Sequence, residues 1–418
     1  MFSTRFKSAA VAAFCAFCAP GWAEPSPVVA SVEARDVVEL EALSAAAATA
    51  DERRLAGGAA LALRRKDEAA LVALMPLAQS AAAAKLRVSA YIAASEVYLR
   101  QGRFADGYAA LKAAQSLCAE PLRADDIQTM EFAKVLVGAT PMAVTHKASG
   151  RLDIARDGAG LVRIPVRIDG QPQDAVVDSG AGFSTISESA AKHLGVRVFD
   201  QAASVASVSK DAVATKIGVA DRLEFGDAVL SNVVFIVLPD SALSFAGGAY
   251  RIDAVMGLPV FLALDRIELV TEGGKESLYY GPTPGIAAPA SNLVLAGLEP
   301  LVLVQAEKAS APLRMFIDTG AVHSTLNAKA AQDYPALGEG AVATVAHLQG
   351  AGGESTDAKA QTVPVLKLVI DGRPFTLKDV RMVSKAEPDR HGAIGQDVLK
   401  QGRSWALDFA NMSFTVED

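Results

Sequence analysis

The chain is poor in cysteine, with three residues in 418, and two of them, Cys15 and Cys18, fall within the first twenty positions. If that leading segment is removed, Cys118 remains as a single thiol with no partner for an internal disulfide. It sits in an alanine-rich helical stretch and reads as a small buried helix residue, not a nucleophile. Histidine is scarce too. The five residues show no metal-ligand spacing, and no Gly-x-Ser-x-Gly element offers a serine nucleophile. Glycine-rich stretches lack the strand-to-helix pattern that cradles a phosphate. Forty Lys and Arg against 47 Asp and Glu leave a net charge of −7, without the clustered basic face that nucleic acid requires. No stretch reaches the apolar length of a membrane helix. The expectation is therefore no metal, no cofactor, no nucleic acid and no membrane span.

What is present divides into distinct textures. With 51% hydrophobic and 21% charged residues, the chain has material for packed cores, and its length calls for more than one of them. Arg5 and Lys7 precede an almost wholly apolar run over residues 8–19, and Gly21-Trp22-Ala23 is a small-x-small site. This is the pattern of a signal peptide over residues 1–23, with cleavage expected after Ala23. Phe14 and Phe17, standing before Cys15 and Cys18, argue against a lipoprotein signal. The expected location is periplasmic or secreted.

Residues 24–140 are rich in Ala, Leu, Arg and Glu with apolar residues at helical spacing, which predicts an all-helical domain. Helices are expected over about 51–64 and 67–78, up to Arg100, from Phe104 to Leu117, and after Asp125 and Asp126, ending before Gly138 and Pro141. Tyr91, Tyr98, Gly102, Leu111, Ala114 and Pro121 are spaced in a way that weakly resembles a tetratricopeptide repeat, although Gly107 stands where that repeat has Ala. A concave helical surface of that kind would suit a protein partner, and the unit would then be separable from the rest.

Past Pro141 the chain becomes mainly β. Val162-Arg163-Ile164-Pro165-Val166-Arg167-Ile168 alternates, and Asp169-Gly170 signals a turn, as does Asp371-Gly372. The stretch Gly281–Ser291, dense in Pro, Gly and small residues, reads as a boundary. It splits the β region into lobes of residues 141–285 and 286–418.

The two lobes repeat each other. Val176-Val177-Asp178-Ser179-Gly180-Ala181 followed by Ser184-Thr185-Ile186 recurs as Phe316-Ile317-Asp318-Thr319-Gly320-Ala321 followed by Ser324-Thr325-Leu326. Downstream, Ala254-Val255-Met256-Gly257 answers Ala393-Ile394-Gly395, at 79 residues from Asp178 and 77 from Asp318. Two unrelated short motifs would seldom keep such a distance twice. Asp265 and Asp408 also recur after the closing glycine and read as structural.

This duplicated pattern resembles the aspartic protease superfamily, and the Ala after each Asp-Ser/Thr-Gly is similar to the retropepsin branch. The resemblance covers about residues 155–418 and implies a bilobal, mainly-β aspartic protease behind helical hairpins. It implies an aspartic endopeptidase with a polypeptide substrate, Asp178 and Asp318 forming one catalytic pair within a monomer. Two carboxyls sharing one proton can split a peptide bond without a covalent intermediate, because the ionised one takes a proton from water while the other polarises the carbonyl. Ser179, Gly180 and Ala181 with Thr319, Gly320 and Ala321 would support the two loops. Gly350, Gly352 and Gly353 occupy the interval of a glycine-rich flap, whereas Ser207–Val213 in the first lobe has no glycine and no flap Tyr, so unequal clamping is expected. His323 reads as a surface or subsite residue. From other classes of function, an inactive peptide binder and a periplasmic adaptor working through its helices remain as alternatives.

Overall fold

The computed structural model describes residues 26–119, 121–199, 203–205, 213–282, 291–350 and 353–418. Seven helices come first: α1 (Pro27–Glu33), α2 (Val37–Ala46), α3 (Ala50–Leu63), α4 (Asp67–Ser80), α5 (Ala84–Arg100), α6 (Phe104–Ser116) and α7 (Ala124–Val135). Their starts follow local chemistry. Thr49 and Glu52 form a reciprocal capping box at α3, and Asp36 caps α2. At α7 the expected caps prove to lie inside the first turn, where Asp125 and Asp126 favour the positive end of the helix dipole, and Asp126 pairs with Arg123 at 2.9 Å. Cys118 stands just past α6 and not inside it, half-buried against Val88, Leu111 and Leu122.

Two β lobes follow. In the first, strands Val162–Ile168 and Gln171–Val177 form a hairpin whose Asp169-Gly170 turn has both residues at positive φ, +47° and +81°. Such a two-residue turn matches the right-handed twist of its strands. Asp371-Gly372 does the same in the second lobe, at +48° and +78°, between strands Gln361–Ile370 and Arg373–Val383. Each lobe then repeats one arrangement. Ala254–Met256 runs parallel to Gln171–Val177 and antiparallel to Ser184–Ser187, while Gly392–Ile394 runs parallel to Leu313–Ile317 and antiparallel to Thr325–Asn327.

A five-stranded sheet joins the halves, in the order Gly150–Asp153, Lys275–Tyr280, Arg266–Glu272, Ser404–Asp408, Ser413–Glu417. Its central pair is antiparallel, with Leu269 opposite Trp405, and both side chains are buried in the core common to the two lobes. Asp265 and Asp408 serve this junction. Asp265 stands at positive φ, pairs with Lys147 and Arg65, and accepts the Phe409 amide on its carbonyl; Asp408 holds Asn411 by backbone and side chain. The structural reading of both is the one the contacts support.

The helical unit is not set apart from the lobes. Its core continues into the second lobe through Val294, Ala296 and Leu301, and into the first through Ile217, Val219, Val234 and Ile236, which pack with Leu99, Phe104 and Phe132. Arg65 reaches both halves, donating to the carbonyls of Leu262 and Phe409 at 3.0 and 2.9 Å. Arg314 on the second lobe pairs with Asp36 at 2.7 Å. A separable recruitment module would leave its docking faces polar; here both are apolar and buried, which corrects the expectation of independence.

Candidate active site

Asp178 follows directly on strand Gln171–Val177 and Asp318 on Leu313–Ile317. Each is fixed from behind by the neighbouring strand: the Asp178 amide donates to Met256 O at 3.1 Å and the Asp318 amide to Ile394 O at 3.0 Å. The closing glycines then cross behind the loops. A Cβ on Gly257 would stand 2.6 Å from Ala181 O, and one on Gly395 would stand 2.8 Å from the His323 carbonyl carbon, so only glycine fits either crossing.

The two loops interlock. Ser179 N donates to Thr319 Oγ1 at 2.9 Å and Thr319 N to Ser179 Oγ at 3.2 Å; each hydroxyl in turn donates to the opposite strand, Ser179 Oγ to Ile317 O at 2.7 Å and Thr319 Oγ1 to Val177 O at 3.0 Å. All four bonds are buried, and at about 1 kcal/mol each they resist separation of the loops. Both hydroxyls are saturated in this way, which leaves the carboxyls as the reactive groups at the surface of the loops.

Each carboxyl also lies against the glycine of the other lobe. A Cβ on Gly180 would be 2.8 Å from the Asp318 Cγ, and one on Gly320 would be 2.8 Å from the Asp178 Cγ. Gly180 N donates to Asp178 Oδ1 at 2.8 Å, while Asp318 Oδ1 receives two amides, Gly320 N and Ala321 N, both at 2.9 Å. The residues are partly open to solvent but crowded by surrounding atoms. Burial pushes Asp178 well above the usual carboxylate range, and the charge of Asp318 pushes it further. Burial raises Asp318 as well, opposed by its two amides and, more remotely, by Arg390. Burial raises both carboxyls and the charge of Asp318 opposes ionisation of Asp178, so the two disfavour being ionised together and their titration belongs to the pair.

The support behind the loops is asymmetric. Ser184 Oγ accepts from Gly257 N at 3.1 Å, and Ser324 Oγ accepts from Gly395 N at 3.0 Å, a matched pair. Below the second loop, however, Gln396 Nε2 donates to Thr319 O at 2.7 Å, and Asp397 accepts the Ser324 amide at 2.9 Å. The first lobe has Leu258 and Pro259 in those places. Sequence reasoning missed Gln396 and Asp397 because they break the repeat; the conserved offset of Ser184 and Ser324 after each Asp was the available signal for the serines.

In the second lobe, strands Ala346–Gly350 and Gly353–Asp357 form a separate antiparallel hairpin with Gly350 opposite Gly353. Gly352 lies outside the described residues, as does most of Ser207–Val213. Among the described residues no three His, Cys, Asp or Glu side chains converge so as to hold a metal ion, and no helix is long and apolar enough to cross a membrane.

Residues 164–260, a stretch that contains the first Asp-Ser-Gly loop and its closing glycine, match the family model described as aspartyl protease. Over these residues the first lobe is similar to that family. Among solved structures this chain is similar to a retropepsin-like aspartic protease from Rickettsia conorii, at 17% identity over 32% of this chain and 92% of that one, with a TM-score of 0.25. It is also similar to Basic 7S globulin from soybean, at 13% identity over 65% of this chain and 95% of that one, with a TM-score of 0.38. No curated protein matches the chain. The family match stops short of the second lobe, so the pairing of two aspartic protease-type loops in one chain rests on the geometry above.

Proposed function

We propose that the protein is an aspartic endopeptidase in which Asp178 and Asp318 act as one dyad inside a single chain. The observation that carries this reading is the crossed arrangement of the loops, each carboxyl lying against the opposite glycine beneath reciprocal Ser179 and Thr319 hydrogen bonds. The ionised carboxyl of the pair takes a proton from a water held between the two. The protonated one donates to the carbonyl oxygen of the substrate. The water oxygen bonds to the carbonyl carbon, the C–N bond breaks, and the amine leaves with a proton returned through the pair. The signal-like segment supports a periplasmic or secreted location, and N-terminal sequencing of the secreted protein should then begin at Glu24.

Asp178→Asn and Asp318→Asn keep size and remove a titratable carboxyl. Each alone should lower peptide hydrolysis on the order of 10³-fold, and the double variant should fall little further, because groups acting as a unit are non-additive. Hydrolysis is measured together with oligomeric mass. Substantial activity in both single variants, or activity confined to a dimer in which identical lobes pair across chains, defeats the intramolecular dyad.

A further inference from the structure

The reciprocal bonds of Ser179 and Thr319 relate the two active-site loops by an approximate two-fold axis through the carboxyl pair. Corresponding positions therefore stand on opposite sides of that axis, at the two ends of the cleft. The fifth residue after each aspartate makes the comparison: Phe183 in the first lobe, His323 in the second. His323 is exposed, and Val322 beside it is 49% exposed. Phe183 is instead packed under the helical unit, its ring 4.4 Å from that of Phe132 on α7 and 6.4 Å from that of Phe104 on α6. Phe104 and Phe132 are themselves buried and meet edge to face at 6.3 Å.

Two further contacts extend the cover. Helix α7 lies along strand Ala203–Val205, which pairs with the start of Val213–Phe225 as the first lobe's own hairpin. Beside the loop, a Cβ on Gly182 would meet Leu298 at 3.7 Å, and the adjacent Gly297 faces Glu96 on α5. One end of the cleft is thus built over by helices, while at the equivalent position of the second lobe Val322 and His323 are exposed among the described residues.

We propose that α6 and α7 wall off the first-lobe end of the cleft, making substrate recognition one-sided. The extended part of a polypeptide lies on the second-lobe side, along Val322 and His323, and the first-lobe side holds only the one or two residues that end the chain, against the exposed part of the Phe183 ring. The inference rests on the dyad reading for its chemistry, which is unchanged: water adds, one C–N bond breaks, and a short terminal fragment leaves. It replaces cutting within any unfolded polypeptide, the endopeptidase reading above, by cutting near polypeptide termini, and leaves the dyad as it stands.

The test uses the full chain and short peptides of random sequence with free or blocked ends, the cut positions being mapped by mass spectrometry. Cuts should cluster within one or two residues of one terminus. Extending that terminus by a few residues should lower kcat/KM about tenfold or more, since a wall rejects what it cannot seat, while extending the other should raise it or leave it unchanged. The same peptides are titrated against the Asp178→Asn protein by fluorescence anisotropy, which reads one-sidedness without turnover. One-sided binding supports the wall even where hydrolysis is absent, and that absence counts against the dyad alone. Equal tolerance of extension at both termini, in cutting or in binding, overturns the wall.

Discussion

A methyl group added at position 320 would stand 2.8–2.9 Å from the Cγ and both carboxyl oxygens of Asp178, closer than real Cβ atoms are found. The carboxyl end of Asp178 can swing away more easily than the backbone can move, so the collision falls on the chemistry before it falls on the fold. Gly320→Ala should lower kcat about a hundredfold, the scale of loss expected from misplacing a reacting group by an ångström. Its Tm should drop by only a few degrees; a folded variant with unchanged kcat would contradict the packing of the pair. Charge adds a second test at the same residues. Burial and Asp318 raise the folded-state pKa of Asp178, so below the ordinary aspartate range folded and unfolded chains bind the same proton and lose nothing. As pH rises from there towards the raised value, the unfolded chain ionises while the folded one must hold its proton, and stability is lost. Asp178→Asn removes this cost. The variant should match the wild type in Tm near pH 3.5 and exceed it increasingly as the pH approaches neutrality; a constant offset would mean the carboxyl is not held protonated.

At the scale of elements, much of the molecule was legible. Helical spacing located α3, α4 and α6 within a residue or two, and the end of α5 at Arg100, because apolar spacing and stop signals are local. Asp169-Gly170 and Asp371-Gly372 marked hairpins because few other dipeptides tolerate two successive positive φ angles. The repeated loops disclosed both aspartates. What stayed hidden was contact between elements distant in sequence: Phe183 is adjacent to the motif, yet nothing local announces Phe104 and Phe132 as its partners, and Gln396 supports Thr319 from outside the repeated pattern. The hairpin Ala346–Asp357 is the element whose role is most open to experiment. Glycine at both Gly350 and Gly353 makes the facing strand ends cheap to bend, and as a flap they would let a substrate backbone approach closely. Gly353→Val should stiffen and crowd the tip, lowering kcat/KM about tenfold with Tm held within roughly two degrees. If turnover survives in the folded variant, the hairpin is not a flap.

For the whole molecule, the helices, the two lobes and the joining sheet form a single packed body. Val294 and Leu301 in the second lobe are fully buried, and so is Ile217 in the first, only because the helical unit covers them. Removing that unit would expose both apolar faces at once, orphan Arg314 from Asp36, and strip Arg65 from the carbonyls of Leu262 and Phe409 where the halves meet. Uncovering a buried aliphatic side chain costs roughly 1.5–3 kcal/mol, so several together are comparable with the roughly 5–15 kcal/mol that holds an ordinary domain folded. A protein lacking residues 24–140 should therefore be poorly soluble, unfold at least ten degrees lower if it folds at all, and fail to cut even the shortest peptides. Supplying residues 24–140 as a separate chain should restore part of both properties, since the lost surfaces are complementary. Expression yield, Tm and hydrolysis of a short peptide decide the matter. A truncated protein that stays soluble and cuts short peptides at the full rate would show that the lobes stand alone and that the helices are an attachment.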